Sequence, residues 1–535
     1  MKNTYLLLAF LAVLFTACSA EKEVDSRPNV IVILTDDMGY SDIGCYGSEI
    51  PTPHLDALAE NGVRFSQFYN TARCCPTRAS LMTGLHPHQT GIGGMTNSPK
   101  GETWHKRGVE GYIGYLNKKC VTMAEVLKSS GYHTYMTGKW HLGYHDTARW
   151  PVQRGFDKFY GSISGATSYF YPHGNRSVSL QNEILPPPDS TKYYTTDAFT
   201  DYAIQFIDEQ EDDNPFFLYL AYTAPHWPLH AKEEDIEKFV GKYMHGWDEV
   251  RKARFKKQVE MGLLNEEWGL SKRDERVRPW TEVSDSQKVL SDYRMAVYAA
   301  QVFSIDYNVG KLVEKLKAEG KFDNTLIFFM SDNGGCAEMY HEFGSKPRSF
   351  INKATYAGAV SYGIGWANAS NTPFFEYKVR VHEGGIATPL IAHWPKGITS
   401  QAGTITHKAG YLIDLAPTIY EVAKADYPQT FHDGNNIHPL PGKSLMPILT
   451  TGEDEDHEYM YWEHQNNSAI RKGDWKALKK VNEETWKLYN IADDRIESID
   501  LAEQHPELVQ ELNDKWYEWA NANYVLPKSK PKNKK

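Results

Sequence analysis

One pattern limits the fold of this chain more than any other: apolar runs that stop at polar residues, most of them preceded by a helix-like stretch. "PNVIVILTDD" (28–37) ends in Asp36 and Asp37. "YHTYMTGKWH" (132–141) follows "TMAEVLKSS", and "PFFLYLAYTAPHWP" (215–228) follows "DAFTDYAIQFIDEQ". "NTLIFFMSDNGG" (324–335) follows "VFSIDYNVGKLVEKLKAEG", and "ATPLIAHWP" (387–395) is a further run. Continuous apolar runs fit strands covered on both faces. Helix then strand, repeated, predicts an α/β fold: a large, mostly parallel sheet sandwiched by helices. Open sheets of this kind bind ligands beyond the carboxyl ends of their strands. The polar residues that close four of these runs are therefore the first candidates for a site.

The texture changes near residue 440. "EYMYWEH", "SAIRKGDWKALKK" and "TWKLYNI" read as short antiparallel strands, and "PELVQELNDKWYEWANA" as an amphipathic helix. The expected organisation is a main domain over 27–440, with a helical insertion near 230–290, a small α+β domain with an antiparallel sheet over 441–527, and a solvated basic tail over 528–535. The start, "MKNTYLLLAFLAVLFTACSAEKE", has Lys2, an apolar run too short to span a bilayer, and small residues before Cys18. It reads as a lipoprotein signal over 1–18, with Cys18 acylated. An exported bacterial lipoprotein is expected, in the periplasm or at the cell surface, meeting the membrane only through a lipid anchor. The formal net charge of −10 argues against a nucleic-acid partner, because there is no basic excess to neutralise phosphates.

Asp36 and Asp37 end one run; Asp332 and Asn333 end another. Adjacent aspartates within a strand point to opposite faces, but at a strand end the backbone can turn and let both converge. Three carboxylates and an amide oxygen repel unless a cation sits among them. Oxygen-only ligation selects a hard cation, Ca²⁺ or Mg²⁺, over zinc. Either pair alone would equally suit turns and helix caps.

"ARCCPTRASLMTG" (72–84) sets Cys74 beside Cys75. Apart from Cys18 the chain has five cysteines, an odd and sparse set that is no disulfide framework. The residues by themselves permit a vicinal disulfide or two thiols packed as small hydrophobes. A thiolate phosphatase loop is excluded, since it needs a longer spacing than the three residues between Cys74 and Arg78.

"CCPTRASLMTG" resembles the signature of the type I sulfatases of the alkaline phosphatase superfamily: Cys-x-Pro-x-Arg, then a Leu and Thr-Gly. In that family the first cysteine is oxidised to formylglycine. The resemblance implies Cys74 as the modified residue, a formylglycine-generating maturation enzyme as partner, and Arg78 as the group that holds the product in place. It extends over most of the chain. "PNVIVILTDDMGYSDIGCYG" resembles the family's metal-binding start, and "SDNGG" supplies Asp332 and Asn333. "TGKWHLG" supplies Lys139 and His141, "APHWPLHA" supplies His226, and "YKVRVHEGGIATPLIAHWP" supplies Lys378. "WANASNTPF" and "TTDAFTDYA" are similar to bacterial arylsulfatases.

What the resemblance implies is an alkaline phosphatase-like fold and hydrolysis of a sulfate monoester. Asp36, Asp37, Asp332, Asn333 and the modified Cys74 would bind Ca²⁺, ahead of Mg²⁺. One hydroxyl of the hydrated formylglycine would attack sulfur. Lys139 and Lys378 would stabilise the sulfate oxygens. His226 is the candidate acid for the leaving oxygen and His141 the base that helps expel sulfate, roles that could be exchanged. His230 and His382 are further candidates to reach substrate. The expected substrate is a sulfated carbohydrate, such as a sulfated galactose, or an aryl sulfate. Two alternatives stay open: a phosphonate monoester or phosphodiester hydrolase of the same superfamily, and a non-catalytic glycan-binding lipoprotein.

Overall fold

In the computed structural model, which describes residues 25–96, 108–338, 341–453 and 457–527, the apolar runs become strands of one ten-stranded sheet. In chain order these are β1 (Asn29–Asp36), β2 (Val63–Tyr69), β3 (His133–Lys139), β4 (Lys158–Ser162), β5 (Ser179–Leu180), β6 (Glu183–Ile184), β7 (Phe216–Pro225), β8 (Thr325–Ser331), β9 (Ala387–His393) and β10 (Ile405–Tyr411). Their spatial order is β10-β2-β9-β8-β1-β7-β3-β4-β5-β6. Every residue of β7 and β8 is buried, as is β1 from Val30 onward. That accounts for the absence of polar alternation in these runs. Helices cover the sheet. Thr195–Asp208 and Asp285–Ala318 pack on each other and on β7. The region 230–290 contributes the helix Trp247–Glu260, whose Arg254 is buried between Asp42 and Glu49.

The sheet is more mixed than the sequence pattern predicts. Five of its nine pairings are parallel and four are antiparallel. The run "ATPLIAHWP" forms β9, which is antiparallel to both β8 and β2. A buried antiparallel strand is as uniformly apolar as a parallel one, so periodicity does not separate them. The reversal matters for the site. β8, β1, β7 and β3 lie side by side and end at the same edge of the sheet. Because β9 runs the other way, its beginning lies at that edge, and β2, antiparallel to β9, ends there too.

A second sheet, β11 (Met460–His464), β12 (Asn467–Lys472), β13 (Trp475–Lys479) and β14 (Lys487–Asn490), is an antiparallel meander. The helix Pro506–Ala522 lays Leu512, Trp516 and Trp519 against it. The signal segment with Cys18 and the tail 528–535 lie outside the described residues. Among those described, no helix is long and apolar enough to cross a membrane.

The two sheets are joined by fully buried charges. Lys476 Nζ on β13 lies 2.9 Å from Glu383 and 2.8 Å from Glu497, and Arg495 Nε lies 2.9 Å from Glu383. Burial raises Glu383, but Lys476 and Arg495 outweigh it and bring its pKa to about 2. Burial raises Glu497 to about 7, against the one cation it shares. Two acids competing for one lysine divide in this way. A carboxyl whose pKa rises on folding resists ionisation in the native state, so Glu497 costs stability as pH climbs through the interval from its ordinary value to about 7. Glu497→Gln has no proton to lose. Its Tm relative to wild type is expected to increase between about pH 5 and about pH 8; thermal unfolding at both pH values checks this, and a pH-independent difference contradicts it.

Candidate active site

At the common strand edge the sequence-predicted residues come together. Asp36 is the last residue of β1, and Asp37 follows in a left-handed conformation, φ 67°. This bend is what lets two consecutive side chains face one region. Thr35 is in register with Ser331, so Asp36 stands beside Asp332. The Asp37 amide donates to Asp332 Oδ1 at 3.2 Å, and Asn333 Nδ2 donates to Asp37 Oδ1 at 2.8 Å. All four side chains are buried. Gly334 then passes so close to the loop before β9 that a Cβ there would lie 1.9 Å from Gly384 O.

Cys74 begins a ten-residue helix, Cys74–Thr83, in which every residue is buried. Arg73 before it is extended, and Gly84 closes the helix with a left-handed residue. The helix N-terminus favours negative charge at Cys74. One turn on, Arg78 donates to Asp332 Oδ2 at 2.8 Å and to Lys139 O at 2.9 Å, and lies 3.8 Å from Asp36. Lys139 closes β3 and its Nζ is 2.6 Å from Asp36 Oδ2. Gly138 before it has φ 105°, and a Cβ would lie 1.9 Å from Ala221 O, so only glycine brings the chain this near to β7. Lys378, in the loop before β9, places Nζ 2.7 Å from Asp37 Oδ1.

The histidines occupy two positions. His226 follows β7; its Nδ1 is 2.6 Å from Trp227 O and donates to it, leaving Nε2 to face Asp37 Oδ2 at 3.3 Å. His141, with φ 59°, brings a ring nitrogen within 4.8 Å of the sulfurs of Cys74 and Cys75. Burial lowers the pKa of both imidazoles, His141 to about 4, with Lys139 adding to its effect there. The hydrogen bond from Cys75 holds the Cys74 thiol well below its ordinary range, helped by Lys139 and His141 and opposed by burial.

Cys74, Lys139, His141, His226 and Lys378 border a cleft of about 640 Å³. His230 and His382 do not border it: His230 is packed beneath Tyr169 and Phe170, and His382 is buried next to Phe375. Residues that sequence reasoning missed do border it, among them Arg73, Arg176, Trp227, Glu338 and Gln465. Arg73 and Trp227 adjoin residues already singled out, and adjacency was the available signal for them. Arg176 closes a three-residue 3-10 helix and Gln465 lies in a turn, both without a sequence pattern.

The acidic set fits a hard divalent cation. Asp36 Oδ1 and Asn333 Oδ1 are buried without a hydrogen-bond partner among the described residues. Burial, and after it the charge of Asp36, pushes Asp332 well above the usual carboxylate range despite Arg78. Two buried acceptors of the set thus have no protein donor among the described residues, and they are oxygens, the ligand type of a hard cation.

A sulfatase family model matches residues 28–425, and a model described as N-sulphoglucosamine sulphohydrolase, C-terminal, matches 372–522. An uncharacterized sulfatase of Schizosaccharomyces pombe is 34% identical over 526 residues, 92% of this chain and 94% of the relative. The arylsulfatase of Klebsiella aerogenes is 36% identical over 450 residues, covering 81% and 94%. The crystal structure of Ps i-CgsB in complex with k-i-k-neocarrahexaose is similar at TM-score 0.67 and 29% identity, over 93% of both chains. Members of this family generally use a formylglycine and a divalent metal. The order of motifs, the strand-edge site and these likenesses agree: the chain belongs to the sulfatase family and is a sulfuric ester hydrolase.

Proposed function

We propose that this protein hydrolyses a sulfate monoester on a carbohydrate, with Cys74 as its formylglycine and Ca²⁺, ahead of Mg²⁺, as its ion. The observation that carries the reading is the meeting of Cys74, Lys139, Lys378, His141 and His226 in one cleft, with Lys139 and Lys378 paired to the buried Asp36 and Asp37. The carbohydrate part is supported by Ps i-CgsB, whose crystal structure holds k-i-k-neocarrahexaose, and by Trp227 and Tyr144 in the cleft wall, which suit a sugar face. An exported lipoprotein acylated at Cys18 would meet such glycans outside the cytoplasm. Cys74 is 1% exposed, so its maturation enzyme would have to act before the chain folds.

Asp36, Asp37, Asp332 and Asn333 would hold the ion, which would supply positive charge against sulfate oxygens. Cys74 as formylglycine would supply, once hydrated, a hydroxyl nucleophile. Lys139 and Lys378 bind the sulfate oxygens and stabilise charge as it spreads in the transition state. Arg78 fixes Asp332 and the end of β3, which keeps Lys139 in line with the helix N-terminus. His226 Nε2 delivers a proton to the bridging oxygen. The negative charge of a bound ester favours its imidazolium form. His141 is held neutral at physiological pH and accepts a proton beside Cys74.

Experiments on the nucleophile, the ion site and the acid test this. In protein from a host that performs the conversion, mass spectrometry of the tryptic peptide Cys74–Arg78 is expected to show 3-oxoalanine. Cys74→Ala is expected to lose about 10³-fold or more in kcat without loss of Tm; an unmodified cysteine in active enzyme rejects the nucleophile. Asn333→Ala is expected to weaken Ca²⁺ binding measured by calorimetry, with unchanged affinity rejecting the proposed ion site. His226→Ala is expected to lose about 10²–10⁴-fold on a sugar sulfate but much less on nitrophenyl sulfate, whose leaving group departs without a proton. Equal losses on both would assign His226 a role other than acid.

A further inference from the structure

The cations of the cleft differ in how they are balanced. Lys139 faces Asp36, Lys378 faces Asp37, and Arg73 lies 2.6 Å from Glu338. Arg380 donates to the Asn467 side chain at 3.2 Å. Arg176 has no carboxylate within ion-pair distance among the described residues. Among the described residues its guanidinium makes a single hydrogen bond, from one terminal nitrogen to Ala357 O at 2.7 Å, and lies 5.8 Å from the centre of the Trp227 ring. It is half-buried, and burial without a counter-charge lowers its pKa. A desolvated cation without a partner is costly, and neither a backbone carbonyl nor a ring face replaces a carboxylate. Such a group is retained at a binding cleft when a ligand brings the missing charge.

Position narrows what that charge is. The Trp227 ring lies 4.6 Å from the ring of His226, the proposed acid for the leaving oxygen. Arg176 borders the same cleft as Cys74 and lies over the Trp227 ring. A planar guanidinium with free N–H groups matches carboxylate or sulfate, and does so less well for hydroxyls.

We infer that Arg176 receives a second anionic substituent, a carboxylate or a further sulfate, carried on the leaving-group sugar. The inference rests on the carbohydrate reading above and adds to it a preference for doubly charged substrates.

The test compares kcat/KM on one hexose with a single sulfate, the same hexose with two sulfates, and the corresponding sulfated uronate, with nitrophenyl sulfate as the reference. Wild type, Arg176→Gln and Arg176→Lys are measured, each checked for an unchanged melting curve. Wild type is expected to favour one or both doubly charged sugars over the singly charged one by about tenfold or more. In Arg176→Gln that ratio should fall to about one, and in Arg176→Lys it should be intermediate. The larger ratio of the two identifies sulfate or carboxylate as the partner. Sugars cleaved without a preference, or with one that survives Arg176→Gln, overturn this inference alone. Hydrolysis of nitrophenyl sulfate with no sugar cleaved overturns the carbohydrate reading and this inference together.

Discussion

The rest of the structure depends on forcing like charges together at the end of β1. Parallel pairing of β1 with β8 sets Asp36 beside Asp332, and the left-handed turn at Asp37 swings a third carboxylate into the same space. In water these groups would separate. Here they are buried, where their mutual repulsion is poorly screened. Three cations from three other elements oppose it: Arg78 from the helix, Lys139 from β3 and Lys378 from the loop before β9. In the proposed reaction two of them, Lys139 and Lys378, bind the sulfate oxygens, so groups that let the acids coexist would also receive the substrate.

That balance holds only if Lys378 arrives correctly, and here the second sheet enters. The loop carrying Lys378 runs into the turn Glu383–Ile386 at the start of β9. Glu383 in that turn is held by Lys476, Arg495 and the Tyr69 hydroxyl. Lys476 lies on β13, and Arg495 follows β14. A small C-terminal sheet thus acts on the catalytic cleft through a buried charge network, besides lending Gln465 from the β11–β12 turn to the cleft itself. Buried charge networks of this kind add little to net stability, because desolvation offsets the attraction.

Much of this was legible in the residues. The apolar runs pointed to buried strands, and their polar ends to one edge. Cys74, Arg78, Lys139, His141, His226 and Lys378 fall in short motifs whose order resembles one family; the structure places five of them around one cleft, with Arg78 buried behind it and bonded to Lys139 O. The direction of β9 was not legible, because burial on both faces erases the alternation that would report its neighbours. Nor was Arg176: it closes a three-residue 3-10 helix, and what marks it is the lack of a counter-charge among the described residues, which only spatial neighbours define.

The sequence by itself determined the chemistry available: acidic pairs at strand ends, a cysteine in a modifiable signature, and lysines and histidines set just beyond apolar runs. Local spacing is enough for this, since strand ends and helix starts follow from side-chain pattern. The tertiary structure decided which of these groups meet and which charges are left over. Lys378 and Asp37 are 341 residues apart along the chain, and 2.7 Å apart in space, because an antiparallel strand enters the sheet from the edge where its parallel neighbours leave. Pairing across such distances is set by sheet order, and no stretch of the chain contains it.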